Sequence, residues 1–427
     1  MDDTARDRGK ATANDHAYMD ARQAMAHLNV QHQTLYAYVS RGLVRSFRQP
    51  GKKSNLYLRE DIERLKARAE VRSGQGVIAA SAMQFGEPIV PTSITEISPE
   101  GPRYRGLIAV DLAARQVSFE SVAELLWTGL SPDEGVRWDV KPLPAEVRRL
   151  CESLGKVGTR EQFMEVFALV VLTLGISRGG VAQRLRSGNT LDAAKQVLQV
   201  LVGCLGLLAG ERRFTPLKAG DSMVQGVLRA LGGNVSDENS RAIEAILVLL
   251  ADHELAPASF ASRVAASSGS SLHGCLVSAM CTHAGVKVGH VYDQAEVFLA
   301  GARTRAALLR RVTELRDQGR KVPGFAHPLY PKGDPRAACL LRIAAARSRH
   351  SVRLREFMAF IDTARTELNL LPQVELVVTA LCNEMGLPRE SGGALFAIAR
   401  SAGWVAHILE QRLSSVLLRP RAKFVNN

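Results

Sequence analysis

Three histidines lie in sequence settings where a ring nitrogen could do chemistry. His253 follows an apolar stretch in Leu250-Ala251-Asp252-His253-Glu254, His290 follows Val288-Gly289, and His327 lies in Pro323-Gly324-Phe325-Ala326-His327-Pro328. An imidazole can act as an acid, a base or a hydrogen-bond donor near neutral pH. A single histidine at a helix end is more often a structural residue, so each of the three alone also fits a structural role.

Arginines in apolar or turn settings indicate which class of ligand the site could bind. Arg400 ends the apolar run Phe396-Ala397-Ile398-Ala399, Arg336 follows Asp334-Pro335, and Arg419 lies near the C-terminus. An arginine stays charged, so in an apolar helix it needs an anionic partner, either a protein carboxylate or a ligand. Arginines and histidines together suit a di- or tricarboxylate ligand, with Glu375 available as a general base.

The elements that must position these residues are mostly helices. The chain has 427 residues, of which 46% are hydrophobic and 23% charged, as in globular proteins of more than one domain. No internal repeat and no strand–helix alternation is visible, so the fold class is mainly α. Ser118 is expected to cap a helix that ends at Gly129. Further helices are predicted at 163–176, 196–210, 243–251, 272–284, 300–318, 336–348, 352–368 and 391–417.

The N-terminal region differs in composition from the rest. The net charge is +13, and no acidic residue lies between Asp20 and Glu60. Seven basic residues fall in that window: Arg22, Arg41, Arg45, Arg48, Lys52, Lys53 and Arg59. The pattern predicts a helix at 21–28, a turn at 29–31, a helix at 34–41, a basic turn at 48–54 and a helix at 61–69.

This pattern resembles the winged helix-turn-helix of MerR-like and excisionase-like DNA-binding domains, in which the second helix enters the major groove and the wing lies over phosphates. The resemblance implies DNA contacts by two groups of residues. Gln31, Gln33 and Thr34 would face base edges or backbone, and Arg41, Arg45, Lys52 and Lys53 would meet phosphates. A protein-interaction or dimerisation cap with the same fold is the alternative.

No secretory signal is visible, and the longest apolar stretch, 197–210, is too short to span a bilayer. The six cysteines show no C-x-x-C spacing, so neither a disulfide framework nor a metal site is expected. These features favour a cytoplasmic protein that does not bind membranes. Residues 1–16 are interpreted as a disordered tail, 17–72 as the winged helix-turn-helix-like module and 73–90 as a linker.

Four segments resemble the citrate synthase family, in order and with sensible spacing. They are 104–106 with 118–122, 251–254 with 259–264, 323–337, and 395–407, the last two being the most specific. The resemblance implies a two-domain helical fold, with a large domain at 91–290 and 386–427 and a small domain at 291–385. It also implies an obligate homodimer and the citrate-forming step of the tricarboxylic acid cycle, in which acetyl-CoA condenses with oxaloacetate. No metal is implied, and no cofactor beyond the CoA ester that serves as substrate.

Carried over by position, the resemblance gives each site residue a role. Glu375 removes a proton from the acetyl group, His290 stabilises the enol, and His327 polarises the ketone. The dicarboxylate is clamped by His253, Arg336, Arg400 and, from the partner subunit, Arg419. The CoA adenine is received by the loop that contains Lys321, Val322, Gly324, Phe325 and Ala326.

Two departures from the family pattern keep a second hypothesis open. Val291 and Tyr292 replace the glycines that usually follow the enol histidine, and Glu375 replaces the usual aspartate. Bulky residues in that loop should obstruct CoA, and a shift of about 1 Å in a catalytic group can cost about 10²-fold in rate. The enzyme, with acetyl-CoA or a related acyl-CoA such as propionyl-CoA as substrate, is the favoured hypothesis. The alternative is a catalytically weak or inactive synthase-like regulator that senses a ligand and binds DNA.

Overall fold

The computed structural model describes residues 18–40, 44, 46–48, 55–59, 61–63, 65–66, 90–130, 136–157, 162–179, 190–414 and 416–420. The chain divides into two compact units. The first comprises Met1–Val90 with Pro420–Asn427, and the second Pro91–Arg419. Each unit has its own hydrophobic core among the described residues.

The first unit contains two short helices and a small antiparallel sheet. Helix α1 (Ala21–Leu28) follows strand β1 (Tyr18–Asp20), and helix α2 (His32–Ser40) precedes β2 (Ser46–Arg48) and β3 (Asn55–Leu58). The strands are ordered β1-β3-β2. Asp20 and Gln23 form a capping box that starts α1, which ends at the left-handed Asn29.

These elements bear out the predicted order of helix, turn and helix, and strands β2 and β3 lie on either side of the predicted basic turn, of which residues 49–54 lie outside the described residues. Strand β1 was not predicted. The predicted helix at 21–28 is confirmed, and the second helix runs over His32–Ser40 rather than 34–41. Gln31 and Gln33 are exposed and Thr34 is half-buried, whereas Arg41, Arg45, Lys52 and Lys53 lie outside the described residues. The assignment of this unit as a winged helix-turn-helix therefore stays a prediction.

The second unit opens with a three-stranded antiparallel sheet and is otherwise helical. The strands are β4 (Thr95–Ser98), β5 (Gly101–Tyr104) and β6 (Leu107–Ile108), and helices α3 (Ala109–Ala114) and α4 (Phe119–Thr128) follow. The predicted caps of α4 are confirmed, because the Ser118 side chain accepts from the Ser121 amide and Gly129 ends the helix with φ +74°.

The remaining described helices form the body of the second unit. They are α5 (Ala145–Val157), α6 (Phe163–Ser177), α7 (Thr190–Cys204), α8 (Met223–Ala230), α9 (Asp237–Leu250), α10 (Pro257–Ser267), α11 (Leu272–His283), α12 (Val291–Leu299), α13 (Arg305–Asp317), α14 (Pro335–Arg347), α15 (Val352–Leu368), α16 (Val374–Glu384) and α17 (Ser391–Ser414). Helix α7 continues into a 3₁₀ turn at Leu205–Leu207.

The helices predicted between residues 163 and 417 are confirmed as elements, with differences in where they begin and end. The helix predicted at 61–69 lies partly outside the described residues and stays a prediction. Helix α15 has the predicted bounds, whereas α7 begins six residues before 196 and α17 ends three residues before 417. Two helices, Thr190–Leu207 and Ser391–Ser414, are long and apolar enough to cross a membrane. Burial covers 67% and 89% of their apolar windows, as expected for central helices of a protein core. All six cysteines lie among the described residues and none of them forms a disulfide; all except Cys281 are buried.

Candidate active site

Arg336 is fixed by a buried ion pair at the start of helix α14. Asp334 caps that helix, and its carboxylate accepts two hydrogen bonds from the Arg336 guanidinium, at 3.0 and 2.9 Å. The same carboxylate accepts the amide of Val374, the first residue of α16, at 3.1 Å. Asp334 thus joins the start of α14 to the start of α16. Burial alone would lower the pKa of Arg336, but Asp334 raises it and keeps the guanidinium charged.

Glu375 follows Val374 in the first turn of α16 and is half-buried, with its Oε2 atom out of contact with solvent. Its Oε2 has no hydrogen-bond partner within the part of the chain that the structure describes. Burial raises the pKa of this carboxyl above its ordinary value, and Arg336 and Arg400 oppose the rise. A carboxyl of raised pKa with a buried oxygen that has no hydrogen-bond partner is suited to general-base work.

His327 presents a defined ring nitrogen to the site. Its Nδ1 accepts the backbone amide of Leu329 at 3.2 Å, so the proton of the neutral ring lies on Nε2, which can donate. His253 lies beside it, with the two ring centroids 5.5 Å apart, and its Nε2 is 3.0 Å from the Tyr330 hydroxyl.

Both histidines are neutral at physiological pH. Burial, together with the charge of Arg336, lowers the pKa of His327 to about 4, although Asp334 opposes the shift. Burial likewise lowers the pKa of His253 well below its ordinary value, with Arg336 and Arg400 contributing. Burial and, after it, the positive charge of Arg336 therefore make His327 a neutral hydrogen-bond donor rather than an imidazolium.

Arg400 supplies a second buried cation from the middle of α17. Its Nε donates to the carbonyl of Leu250 at 2.9 Å, and its guanidinium lies 4.6 Å from the centroid of the Phe396 ring. Within the described ranges it forms no salt bridge with a carboxylate, although the charge of Asp252 acts on it. A buried arginine without an ion pair is well suited to bind a ligand carboxylate.

The loop before His327 is tied to the segment before Glu375. Phe325 pairs with Pro372, Ala326 donates to the carbonyl of Leu371 at 3.1 Å, and Gln373 donates to that of Gly324 at 2.8 Å. Gly324 has φ +79°, and a Cβ there would lie 2.7 Å from the Cβ of Leu376, so only glycine fits. In the predicted CoA loop, Lys321 and Ala326 are exposed, Val322 is half-buried and Phe325 is buried.

The residues His253, His327, Arg336, Glu375 and Arg400 form the cluster described above. Two other predicted site residues do not belong to it. His290 does not join it: its Nδ1 is 2.9 Å from an Asp293 oxygen, and its side chain is 45% exposed. Because α12 begins at Val291, its first turn carries His290 outward and buries Tyr292 instead. The expectation that residues 291 and 292 remain loop is wrong, since both are helical. Arg419 is exposed, and its role in a partner subunit's site stays a prediction.

Several residues of the site were not predicted from the sequence. Tyr330, Asp334 and Tyr292 all contact or electrostatically influence the predicted residues. Asp334-Pro335 is a recognisable helix-start signal and could have indicated the first-turn position of Arg336. No sequence signal indicated Tyr292, which depends on where α12 begins.

A cavity of about 860 Å³ lies elsewhere in the second unit and shares no residue with this cluster. Lys141, Arg148 and Phe214 are among its lining residues. In the described part of the chain, no group of three or more His, Cys, Asp or Glu side chains could hold a metal ion.

The site brings together two buried arginines, two neutral histidines and a half-buried carboxyl within a mainly helical body, an arrangement suited to bind a small polycarboxylate beside a candidate base. The family model "Citrate synthase, C-terminal domain" matches residues 84–421. The chain therefore belongs to the citrate synthase family.

Similar proteins agree with this membership. A citrate synthase from Mycolicibacterium smegmatis is 28% identical, over 79% of this chain and 93% of its own length. A 2-methylcitrate synthase from Shewanella oneidensis is 25% identical, over 84% of this chain and 96% of its own length. The crystal structure of a citrate synthase from Pyrobaculum aerophilum matches with a TM-score of 0.65 at 21% identity, over 90% of this chain and 95% of that one. The structural likeness concerns the fold.

Proposed function

We propose that this protein condenses an acyl-CoA with oxaloacetate to give citrate, or a homologue of citrate, and free CoA. The observation that carries the proposal is the convergence of His253, His327, Arg336 and Arg400 on one site that also holds Glu375, with His253 and both arginines buried and His327 and Glu375 half-buried. Relatives named citrate synthase and 2-methylcitrate synthase support the reaction class.

Each residue has a role that its setting favours. Arg336, Arg400 and His253 hold the carboxylates of oxaloacetate, because buried guanidinium groups pair strongly with carboxylates. His327 donates from Nε2 to the ketone oxygen and so polarises the carbon that is attacked. Glu375 removes a proton from the acyl carbon next to the thioester.

The acyl group is acetyl or propionyl. One methylene in a pocket changes binding by about 1–3 kcal/mol, so both are candidates that the assay must compare. The loop of Lys321 to Ala326, held to the segment before Glu375, is proposed to receive the CoA adenine through its backbone.

We also propose a homodimer in which Arg419 completes the partner's site. Helix α6 exposes Leu169, Leu172 and Ile176, with Ile176 73% exposed. These positions share one side of the helix, and a contiguous apolar patch of this kind marks an interaction surface. Exposed apolar residues also precede Arg419, including Leu413 at 86% exposure.

Release of free CoA tests the reaction. Purified protein is incubated with oxaloacetate and either acetyl-CoA or propionyl-CoA, and free thiol is followed with time. We expect release that requires oxaloacetate and falls about 10²-fold in His327→Ala, since a positioned proton donor contributes that much. His350→Ala removes an exposed histidine outside the cluster and is the matched control.

One combination of results would contradict the proposal that this protein is an enzyme. Absence of CoA release, combined with thermal stabilisation by oxaloacetate or citrate, would indicate a ligand-sensing protein instead.

We propose DNA binding as a second function, carried by the first unit. The supporting observation is a pair of short helices joined by a turn, with paired strands, in a window that has seven basic residues and no acidic residue between Asp20 and Glu60. Gln31 and Gln33 are exposed, and Tyr38 packs with the core of the unit. Phosphate is the natural counter-charge for such a window.

Replacing Lys52 and Lys53 together by alanine should weaken DNA binding uniformly across sequences. Each lost phosphate contact lowers the magnitude of the slope of log binding constant against log salt concentration by about one. The double variant should therefore lower this magnitude by about two. Arg310→Ala/Arg320→Ala, which removes two exposed charges from the second unit, is the control. Binding is measured by fluorescence anisotropy at several salt concentrations. Equal weakening by both double variants would contradict a dedicated DNA-binding unit.

A further inference from the structure

Tyr292 is buried in the first turn of α12, against α16 and α17. It is 2% exposed, and its ring lies 5.6 Å from that of Phe396 on α17. A Cβ on Gly392 would lie 3.1 Å from its Cδ1 and 3.6 Å from the Thr379 hydroxyl on α16. Thr379 in turn donates to the carbonyl of Glu375 at 2.8 Å. The ring is therefore held beside the helical turn that carries the candidate base.

The phenolic hydroxyl has no hydrogen-bond partner among the described residues, although it is buried. The charges that act on it are those of Glu375, Arg336 and Arg400, together with Cys382. Glu375 Oε2 is also buried without a partner. Two unsatisfied polar groups that face the same charges are expected where a ligand completes the hydrogen bonding, because an unsatisfied buried polar group costs free energy.

His290 does not fill this position, since its ring turns toward Asp293 and solvent. We propose that the Tyr292 hydroxyl is the donor that binds the thioester oxygen of the acyl-CoA and stabilises the enolate, in place of a histidine. This inference rests on the proposed condensation and identifies the residue that completes its acyl half.

The proposed reaction has three bond changes: loss of a C–H bond, formation of a C–C bond and cleavage of the C–S bond. Glu375 takes a proton from the acyl carbon, and the electron pair of that C–H bond moves toward the thioester oxygen, which accepts the hydrogen bond from Tyr292. The enolate carbon then bonds to the ketone carbon of oxaloacetate, and the ketone oxygen takes a proton from His327. The proton held by Glu375 leaves to solvent, and solvent returns one to His327. Water finally cleaves the C–S bond and gives the carboxylic acid and the CoA thiol.

Tyr292 suits this task because it stays protonated. Burial raises the pKa of its hydroxyl, and Glu375 raises it further, so the group is a neutral donor throughout the working pH range. Donors aimed at a developing oxyanion in a dry site are worth far more than donors in water.

The test is Tyr292→Phe, which removes only the hydroxyl. We expect kcat to fall about 10- to 100-fold, less than the loss of about 10²–10³ seen for a strong oxyanion donor, and KM for oxaloacetate to stay within about twofold. The melting temperature should stay equal or rise, because a buried hydroxyl without a partner is removed. Tyr104→Phe is the matched structural control: its hydroxyl is 3.0 Å from the Val248 carbonyl, so its loss should lower the melting temperature.

A second readout isolates the enolisation step. Exchange of acetyl-CoA methyl protons with D₂O, followed by NMR with malate as a dicarboxylate that cannot condense, should slow in Tyr292→Phe by a factor similar to that for kcat. A structural role would not slow exchange in a protein of unchanged stability.

The outcomes separate this inference from the proposed function. If the wild-type protein releases no CoA, the condensation itself fails. If the wild type releases CoA and Tyr292→Phe matches it in turnover and exchange, only the role of Tyr292 is overturned. Loss of turnover in His290→Ala with retention in Tyr292→Phe would overturn it as well, in favour of the histidine.

Discussion

Replacing Glu375 by glutamine is expected to lower CoA release by about 10³-fold, within the range for loss of a positioned general base. Glutamine has nearly the same shape but cannot accept the proton from the acyl carbon. Binding of oxaloacetate should persist, because its carboxylates contact Arg336, Arg400 and His253 in the proposed site. Initial rates of thiol release, together with thermal shifts on addition of oxaloacetate, measure the two effects separately.

The pH dependence of the wild type gives the same residue a second signature. The base must be ionised, and burial raises the pKa of Glu375 above its ordinary 4.5. The rate should therefore be complete above that raised pKa and fall as the pH decreases through it. His327 has a pKa of about 4 and therefore causes no further change in the pH–rate profile above pH 5.

The pH dependence of stability that Glu375 contributes has the opposite sign to the pH dependence of the reaction rate. Between 4.5 and its raised pKa, the folded protein holds a proton on Glu375 that the unfolded chain has lost, so this contribution to stability disappears as pH rises through that window. Glu375→Gln should therefore be at least as stable as the wild type at neutral pH. Glu375→Asp, which keeps the charge but shortens the reach, is the control for geometry. A glutamine variant that retains full turnover would exclude Glu375 as the base.

Much of this site could be predicted from the sequence because its residues lie in locally distinctive segments. Arg400 in an apolar helix and Arg336 after Asp-Pro are unusual in themselves, and the structure buries both. Helix ends with strong caps, such as Ser118 and Gly129, were also predictable, since capping is a local interaction.

The acyl half of the site could not be predicted in the same way. Whether His290 or Tyr292 faces Glu375 depends on the residue at which α12 begins, and residues two apart point to different sides of a helix. No capping side chain marks that start, because His290 makes no cap hydrogen bond. The packing of Tyr292 on α17 is a tertiary feature, and local sequence does not encode it.

Asp334 is the second residue whose change should have a large effect. Asp334 is 3% exposed, and its carboxylate accepts hydrogen bonds from three groups: the Arg336 guanidinium, the Arg336 amide, which is the cap of α14, and the Val374 amide. Burial would raise the pKa of Asp334, but Arg336 lowers it below its ordinary value, so the group is ionised. The same atoms therefore neutralise the ligand-binding arginine and position the helix that carries Glu375.

Asp334→Asn is expected to destabilise the protein by about 3–5 kcal/mol, because it leaves the buried charge of Arg336 without its counter-ion. One asparagine atom becomes a donor that must face either the guanidinium or the Val374 amide, so at least one hydrogen bond is lost. Turnover should fall as well, since Arg336 loses its orientation and the start of α16 loses an anchor. Urea unfolding followed by circular dichroism measures the first effect, and thiol release measures the second.

The matched control is Asp362→Asn, which removes the same charge from a pair with Arg365 whose side chains are 61% and 65% exposed. Exposed pairs contribute about 0–1 kcal/mol, so the control should unfold close to the wild type. An excess of oxaloacetate should recover part of the stability of Asp334→Asn, because a ligand carboxylate can replace the missing counter-ion of Arg336. Equal stability of Asp334→Asn and Asp362→Asn would show that Asp334 does not anchor the site, and absence of recovery by oxaloacetate would exclude Arg336 from the carboxylate clamp.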